Sequence, residues 1–261
     1  YSPEREDPGN KNYLINNLPK ILGGITKSCV DIGSHIYSLL DIKVIKVKSM
    51  NKVKICGIYE HQHLHAAVES GADYVGFVFF ESSRRNVSIK LAQALAREVP
   101  KRVLRVALMV NPSDAFILET LENVPIDMLQ LHGNETIDRV ATIRRLTKLP
   151  VMKAIGIRTK EDLALVTKFE MVADQILLDA KPPTLSKVPG GLGKSFDWDI
   201  LSGFSCKKPW LLAGGLNVTN VSRALKKTGA NQFDVSSGVE DRFGNKCGKK
   251  ILEFLQILKG D

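Results

Sequence analysis

From residue 52 to its end the chain carries eight short apolar, β-rich runs, each followed by a helical stretch except the sixth, which a long connection follows. The runs are "VKIC", "YVGFVF", "RVALMV", "MLQL", "VMKAI", "QILLD", "WLLAG" and "FDVSS". Between and after them lie "HLHAAVESG", "SIKLAQALAREV", "SDAFILETLENV", "TIDRVATIRRL", "TKEDLALVTKF", "VTNVSRALKKTG" and "KKILEFLQIL". Apolar runs without polar alternation fit strands buried on both faces, which means parallel pairing with helices outside. Eight units in about 210 residues predict an α/β fold of the closed (β/α)8 TIM barrel type rather than an open doubly wound sheet. Punctuation agrees: Ser113 in "NPSDAF" is an expected N-cap, and "ESGAD" and "KTGAN" put glycine after a helix.

In such a barrel the chemistry belongs where strands end. Cys56 and Gly57 end the first run, and Asp179 ends the sixth. The seventh ends in Gly214 and Gly215, the eighth in Ser236, Ser237 and Gly238. Two adjacent loops of glycines and hydroxyls suit a phosphate: glycine lets the backbone approach closely, and the hydroxyls add donors. Ordinary turn chemistry would also put glycine there. Lys54, two residues before Cys56, shares its face of the strand. It is either an electrostatic group for the site or a satisfied lysine of the barrel core. The connection "AKPPTLSKVPGGLGKSFDW" leaves the catalytic end of the sixth strand and is long enough to be functional.

The blocks "VKICGI", "SGADYVGFVF", "SSRRNVS", "LQLHGNE", "LLDA", "GGLGKSFDW", "LLAGGLNVTNV" and "DVSSGVE" together resemble phosphoribosylanthranilate isomerase of tryptophan biosynthesis. Each block alone is weak; in this order they are specific, and they leave only residues 1–49 outside. The resemblance implies an isomerase that converts N-(5-phosphoribosyl)anthranilate to 1-(2-carboxyphenylamino)-1-deoxyribulose 5-phosphate by an Amadori rearrangement. An acid protonates the furanose oxygen and opens the sugar to a Schiff base. A base then removes the C2 proton, giving an enolamine that becomes the ketone. By resemblance Asp179 is the acid and Cys56 the base. A carboxyl behind an apolar strand is favoured in its protonated form by desolvation. A thiol beside a lysine is expected to be partly thiolate. Arg85 corresponds to the arginine that holds the anthranilate carboxylate, with Arg84 exposed beside it. Gln130 and His132 are expected to line the substrate site, His132 having a plain loop role as its alternative. Gly191 and Gly193 let the sixth loop close, and Asp234 either faces the pocket or ties the barrel end.

The chain departs from the family pattern in places. Tyr59 stands where a threonine is usual, His63-Leu64 where Asp-Ala is usual, and Cys247 where an acid is usual; "ESSRR" lacks a proline. Tyr59 bears on substrate fit and Cys247 on anchoring of the last helix. In "EHQHLH", His61 and His65 lie one helical turn apart with His63 pointing elsewhere. The resemblance assigns none of them a metal, and no cofactor is expected.

Residues 1–49 form an expected N-terminal extension, and residues 50–261 the barrel. The extension lacks the layout of a signal or transit peptide. The net charge of +9 comes from scattered lysines and arginines, the densest run being "GNKCGKK". That favours a solvated basic surface and a small phosphorylated substrate over nucleic acid. No apolar run is long enough to span a bilayer. Four cysteines, none in a C-x-x-C pair, fit a reducing compartment. The expected location is the cytoplasm, or a plastid if the source is eukaryotic. A monomer is expected, with a homodimer as the alternative. The alternative functions are another sugar-phosphate barrel enzyme, or a non-catalytic phosphate-binding barrel acting as a binding partner.

Overall fold

The computed structural model describes residues 20–22, 32, 35–36, 44–46, 51–181, 193 and 195–260. The chain divides into two units, Tyr1–Asn51 with Gln256–Asp261, and Lys52–Leu255. In the first unit, strands β1 (Lys20–Leu22) and β2 (Val44–Lys46) pair in parallel. The rest of the expected extension lies outside the described residues, apart from Ile32, His35 and Ile36.

The second unit is the eight-stranded barrel. Its strands are β3 (Lys52–Cys56), β4 (Tyr74–Phe79), β5 (Leu104–Met109), β6 (Met128–Leu131), β7 (Val151–Ile157), β8 (Gln175–Ala180), β9 (Trp210–Leu212) and β10 (Gln232–Val235). They pair in chain order, all parallel, and β10 closes on β3. All six residues of β4 are buried, as a strand covered on both faces requires. Helices follow as α1 (His61–Glu69), α2 (Ile89–Glu98), α3 (Asp114–Asn123), α4 (Ile137–Thr147), α5 (Ala164–Phe169), α6 (Val221–Thr228) and α7 (Gly248–Lys259). Between β8 and β9 the described residues hold only a 3-10 turn, Trp198–Leu201. The fifth helical stretch likewise begins as a 3-10 turn, Lys160–Leu163, before α5. No helix among the described residues is long and apolar enough to cross a membrane.

The caps explain why the helices stop and start where they do. Ser88, Ser113 and Thr136 each accept a hydrogen bond from an amide three residues on, at the starts of α2, α3 and α4. Gly229 ends α6 in the left-handed conformation, φ +65°. The last helix is different. The Cys247 carbonyl accepts from Ile251 N, which makes Cys247 the N-cap of α7, and a thiol is a poor acceptor for the free amides there. Cys247→Asp should therefore raise stability by about 0.5–2 kcal/mol. Thermal unfolding checks this; an unchanged or lowered Tm would contradict the capping account.

The floor of the barrel carries a recurring device that the sequence reading did not single out. Asp73, Asp127 and Asp174 each stand just before an even-numbered strand. Their carboxylates accept from Val53 N at 2.7 Å, Arg105 N at 2.8 Å and Val151 N at 3.0 Å, at the start of the preceding strand. Arg105 and Arg144 close two of these clamps with forked contacts to Asp127 and Asp174. Above the floor, Gln232 accepts from Gln175 and Tyr74, and an apolar layer that includes Val106, Met152 and Leu177 fills the barrel. The open chemistry is thus confined to the opposite, C-terminal end of the strands.

Candidate active site

Register builds the base of the site. Lys54 on β3 pairs with Asp234 on β10, so both side chains enter the interior at one level. Lys54 Nζ donates to Asp234 Oδ1 at 2.9 Å and is fully buried. Cys56 lies one step further up β3, opposite Gly76 on β4. A Cβ on Gly76 would stand 2.9 Å from Cys56 Sγ and 3.2 Å from Lys54 Cε, so only glycine leaves the thiol and the ammonium their space. Burial works against the Lys54 charge, but Asp234 and Cys56 outweigh it and hold the ammonium above its ordinary value. Cys56 behaves otherwise than the sequence reading expected. Burial pushes the thiol up, Lys54 only partly offsets that, and the charge of Asp234 adds to the rise.

Asp179 reaches the mouth from β8, three strands away around the ring from β3. Its Oδ1 accepts from Ala180 N at 2.7 Å, and His132 Nε2 lies 3.2 Å from Oδ2. Gln130 Nε2 contacts His132 Nδ1 at 2.9 Å, so with the amide donating, the ring proton sits on Nε2 and faces Asp179. Gln130 Oε1 is buried with no hydrogen-bond partner among the described residues. The loop carrying His132 is fastened from below. Glu135 accepts from Gly133 N and Asn111 N, and Lys153 Nζ, buried on β7, bonds Glu135 Oε2 at 2.9 Å. Gly214, expected at the phosphate, also makes room for Asp179. Its φ is +82°, and a Cβ there would fall 2.6 Å from Ala180 N and 3.2 Å from Asp179 Oδ1.

Arg85 is buried and forked onto Glu240, with Nε to Oε1 at 2.6 Å and Nη2 to Oε2 at 3.0 Å. Arg84, though more than half exposed, also reaches Glu240. Lys246, buried in the hairpin that follows β10, bonds Glu240 Oε1 at 2.8 Å, Ser236 O at 2.9 Å and Ser236 Oγ at 3.0 Å. Burial would push the Glu240 carboxyl up, but Arg85 and Lys246 reverse this and bring it down to about 2. For Lys246 burial prevails over Glu240 and brings the ammonium down to about 8. Ser236 Oγ donates to the Cys56 carbonyl at 3.0 Å and so braces the end of the first strand.

Ser237 and Gly238 face open space instead. With Gly215, Asn217, Thr219 and Lys250 they line a cavity of about 460 Å³, which Gly193 also reaches. Asn217 and Asn220 amides both donate to the Gly215 carbonyl, at 3.4 and 2.9 Å. A Cβ on Gly238 would lie 1.8 Å from Leu216 O, so the two glycine loops touch only because position 238 has no side chain. Gly191 lies outside the described residues. On the other side of the mouth Cys56, Val78 and Leu108 form an apolar cluster against which Phe80 and Val110 pack. Tyr59 lies at the rim, its hydroxyl donating to Asn245 Oδ1 at 3.0 Å and its ring packed edge-on to buried His63. His61 and His65 each take one oxygen of Glu98, a surface pairing away from this mouth.

Sequence reasoning did not single out Gly76, Glu135, Lys153, Glu240, Lys246 or Lys250. For Gly76 the signal was present: a glycine inside an otherwise bulky strand marks a close approach.

A closed parallel barrel with a carboxyl and a thiol at its strand ends, beside a cavity walled by two glycine loops, defines an enzyme-like (β/α)8 barrel of the phosphate-binding class. The family model for N-(5'-phosphoribosyl)anthranilate (PRA) isomerase matches residues 53–257. N-(5'-phosphoribosyl)anthranilate isomerase of Cereibacter sphaeroides is 49% identical over 208 residues, 80% of this chain and 98% of that one. A phosphoribosyl anthranilate isomerase crystallised with reduced 1-(o-carboxyphenylamino)-1-deoxyribulose 5-phosphate superposes with a TM-score of 0.71 at 33% identity, over 81% of this chain and all of that one. Mutually generated monomers of the dimeric enzyme from Thermotoga maritima give 0.70 at 34% identity, over 81% of this chain and 100% of that one. The chain belongs to the phosphoribosylanthranilate isomerase family.

Proposed function

We propose that the two ends of the cleft divide one Amadori rearrangement between them, within the isomerase reaction of tryptophan biosynthesis that family membership gives the chain. The substrate is N-(5-phosphoribosyl)anthranilate and the product 1-(2-carboxyphenylamino)-1-deoxyribulose 5-phosphate. One observation carries the assignment: Asp179 and Cys56 stand on strands three apart around one mouth, with a cavity walled by two glycine loops on one side and an apolar wall on the other.

In this reading Gly215, Ser237 and Gly238 take the phosphate, with Gly193 and Gly191 bringing the sixth loop over it. Phe80 and Val110 meet the anthranilate ring, and Arg85 takes its carboxylate while Glu240 holds the guanidinium in plane. Asp179, as the carboxylic acid, gives a proton to the furanose oxygen as the C1–O bond breaks; His132, turned by Gln130, orients the carboxyl through Oδ2. Gln130 Oε1 accepts from a sugar hydroxyl. Cys56, as thiolate, removes the C2 proton, and the electron pair moves toward the C1=N bond. Lys54, paired with Asp234, steadies the thiolate as it forms. The substrate nitrogen is the electron sink, so no cofactor enters.

The test is loss of substrate fluorescence when the full chain is added to freshly generated phosphoribosylanthranilate. Turnover should persist in excess chelator. Binding of a product analogue without turnover would instead support the non-catalytic barrel. Residues 1–49 are an appendage in this account and the cytoplasm the place of action. One barrel suffices as a monomer, while the dimeric Thermotoga maritima relative supports a homodimer as the second reading.

A further inference from the structure

We propose that Lys250 is the cation of the phosphate subsite, a substrate-binding residue at a position to which nothing above assigned a role. The proposal rests on the phosphate reading of this cavity and adds to it the one charge its glycines and hydroxyls lack. Of the described side chains lining the cavity, only Lys250 is ionisable. Its ammonium is held at one point, donating to the Glu240 carbonyl at 2.6 Å, which leaves two of its three donors without a partner among the described residues. That carbonyl follows the 3-10 turn Ser237–Val239, so the same contact fixes the ammonium relative to the loop expected to take the phosphate.

The position is otherwise unfavourable. Lys250 lies in the first turn of α7, which contains no acidic residue, and Lys249 adjoins it. Cations at a helix N-terminus oppose the helix dipole, whereas an anion there is favoured. Lys249 escapes into solvent, with 83% of its side chain exposed, and leans toward Glu253 at 3.9 Å. Lys250 is only half exposed and turns into the cavity. A doubly charged phosphate in that space answers both the two free donors and the helix end. It accepts from the ammonium, from the hydroxyls and from backbone amides of the glycine loops.

The experiment uses the full chain and two competitive inhibitors, inorganic phosphate and anthranilate. In Lys250→Gln the inhibition constant for phosphate and the KM for substrate should both rise about tenfold or more, the scale of one lost charge-assisted contact. The kcat and the inhibition constant for anthranilate should stay within about twofold, and Lys250→Arg should recover most of the loss. An unchanged phosphate constant in the glutamine variant would overturn the proposal, and a lowered Tm alongside would assign Lys250 only the task of holding the Glu240 carbonyl. If phosphate fails to compete in the unmodified protein, the phosphate subsite itself is wrong and the proposal falls with it. A second measurement needs no variant: phosphate should slow acetylation of Lys250 by an amine reagent and leave that of Lys249 unchanged. Equal labelling of Lys250 with and without phosphate would contradict the assignment.

Discussion

Asp179→Asn should lower kcat by about 10²–10⁴, the range that a positioned proton donor contributes. The amide keeps the shape and the hydrogen bond from Ala180 N, so affinity for a product analogue should survive. Cys56→Ala should lose turnover on the same scale, since no second acceptor stands on β3. The two losses differ in their pH behaviour. A base works in its deprotonated form, and burial holds the Cys56 thiol above its ordinary value. The kcat/KM of the unmodified enzyme should therefore rise with pH from neutral into the alkaline range, where the thiolate fraction grows. Residual activity in Cys56→Ala should lack that rise. A rate that is flat in the unmodified enzyme across the same range would show that thiol ionisation is not involved before or during the limiting step.

Glu240→Gln should cost about 3–5 kcal/mol at neutral pH, because it leaves the buried Lys246 and Arg85 without their common anion. The sign with pH follows from the direction of the shift. A carboxyl held at about 2 in the folded chain, against about 4.3 unfolded, adds stability that is fully present above the unfolded value. That stability drains away as pH falls through 4 toward 2. The gap in unfolding free energy between the two proteins should therefore be widest near neutrality and close in acid. Denaturant unfolding at several pH values measures it; a constant gap down to pH 2 would contradict the account. The substitution also frees Arg85, so KM should rise as well.

The fold was readable because parallel strands buried on both faces print themselves as unbroken apolar runs. "YVGFVF" and "MLQL" match β4 and β6 residue for residue. Ends were less readable: "WLLAG" and "FDVSS" extend past β9 and β10, where pairing stops and the chain turns into the glycine loops. The expected site residues were found as strand-end residues, yet what each one touches depends on register and on distant segments. Ser236 and Ser237 are neighbours in sequence, but Lys246 and the Cys56 carbonyl claim the first and leave the second to the cavity. Gly214 and Gly215 divide in the same way, between the acid and the cavity. The direction of the Cys56 shift was beyond the sequence, because it depends on how much burial outweighs one lysine already paired to Asp234. Lys250 was illegible for a related reason. A lysine early in a helix looks like a solvated charge until the loops that face it are known.

The division of labour between the two ends of the cleft is tested most directly by single-turnover measurements with substrate deuterated at sugar C2. In the unmodified enzyme, loss of fluorescence should slow several-fold with the heavy isotope, since the proposed transfer of that proton to Cys56 breaks the bond. Cys56→Ala should show no comparable turnover with either isotope while still binding the product analogue. Turnover by Cys56→Ala at the unmodified rate, with the same isotope effect, would put the base elsewhere and contradict the account.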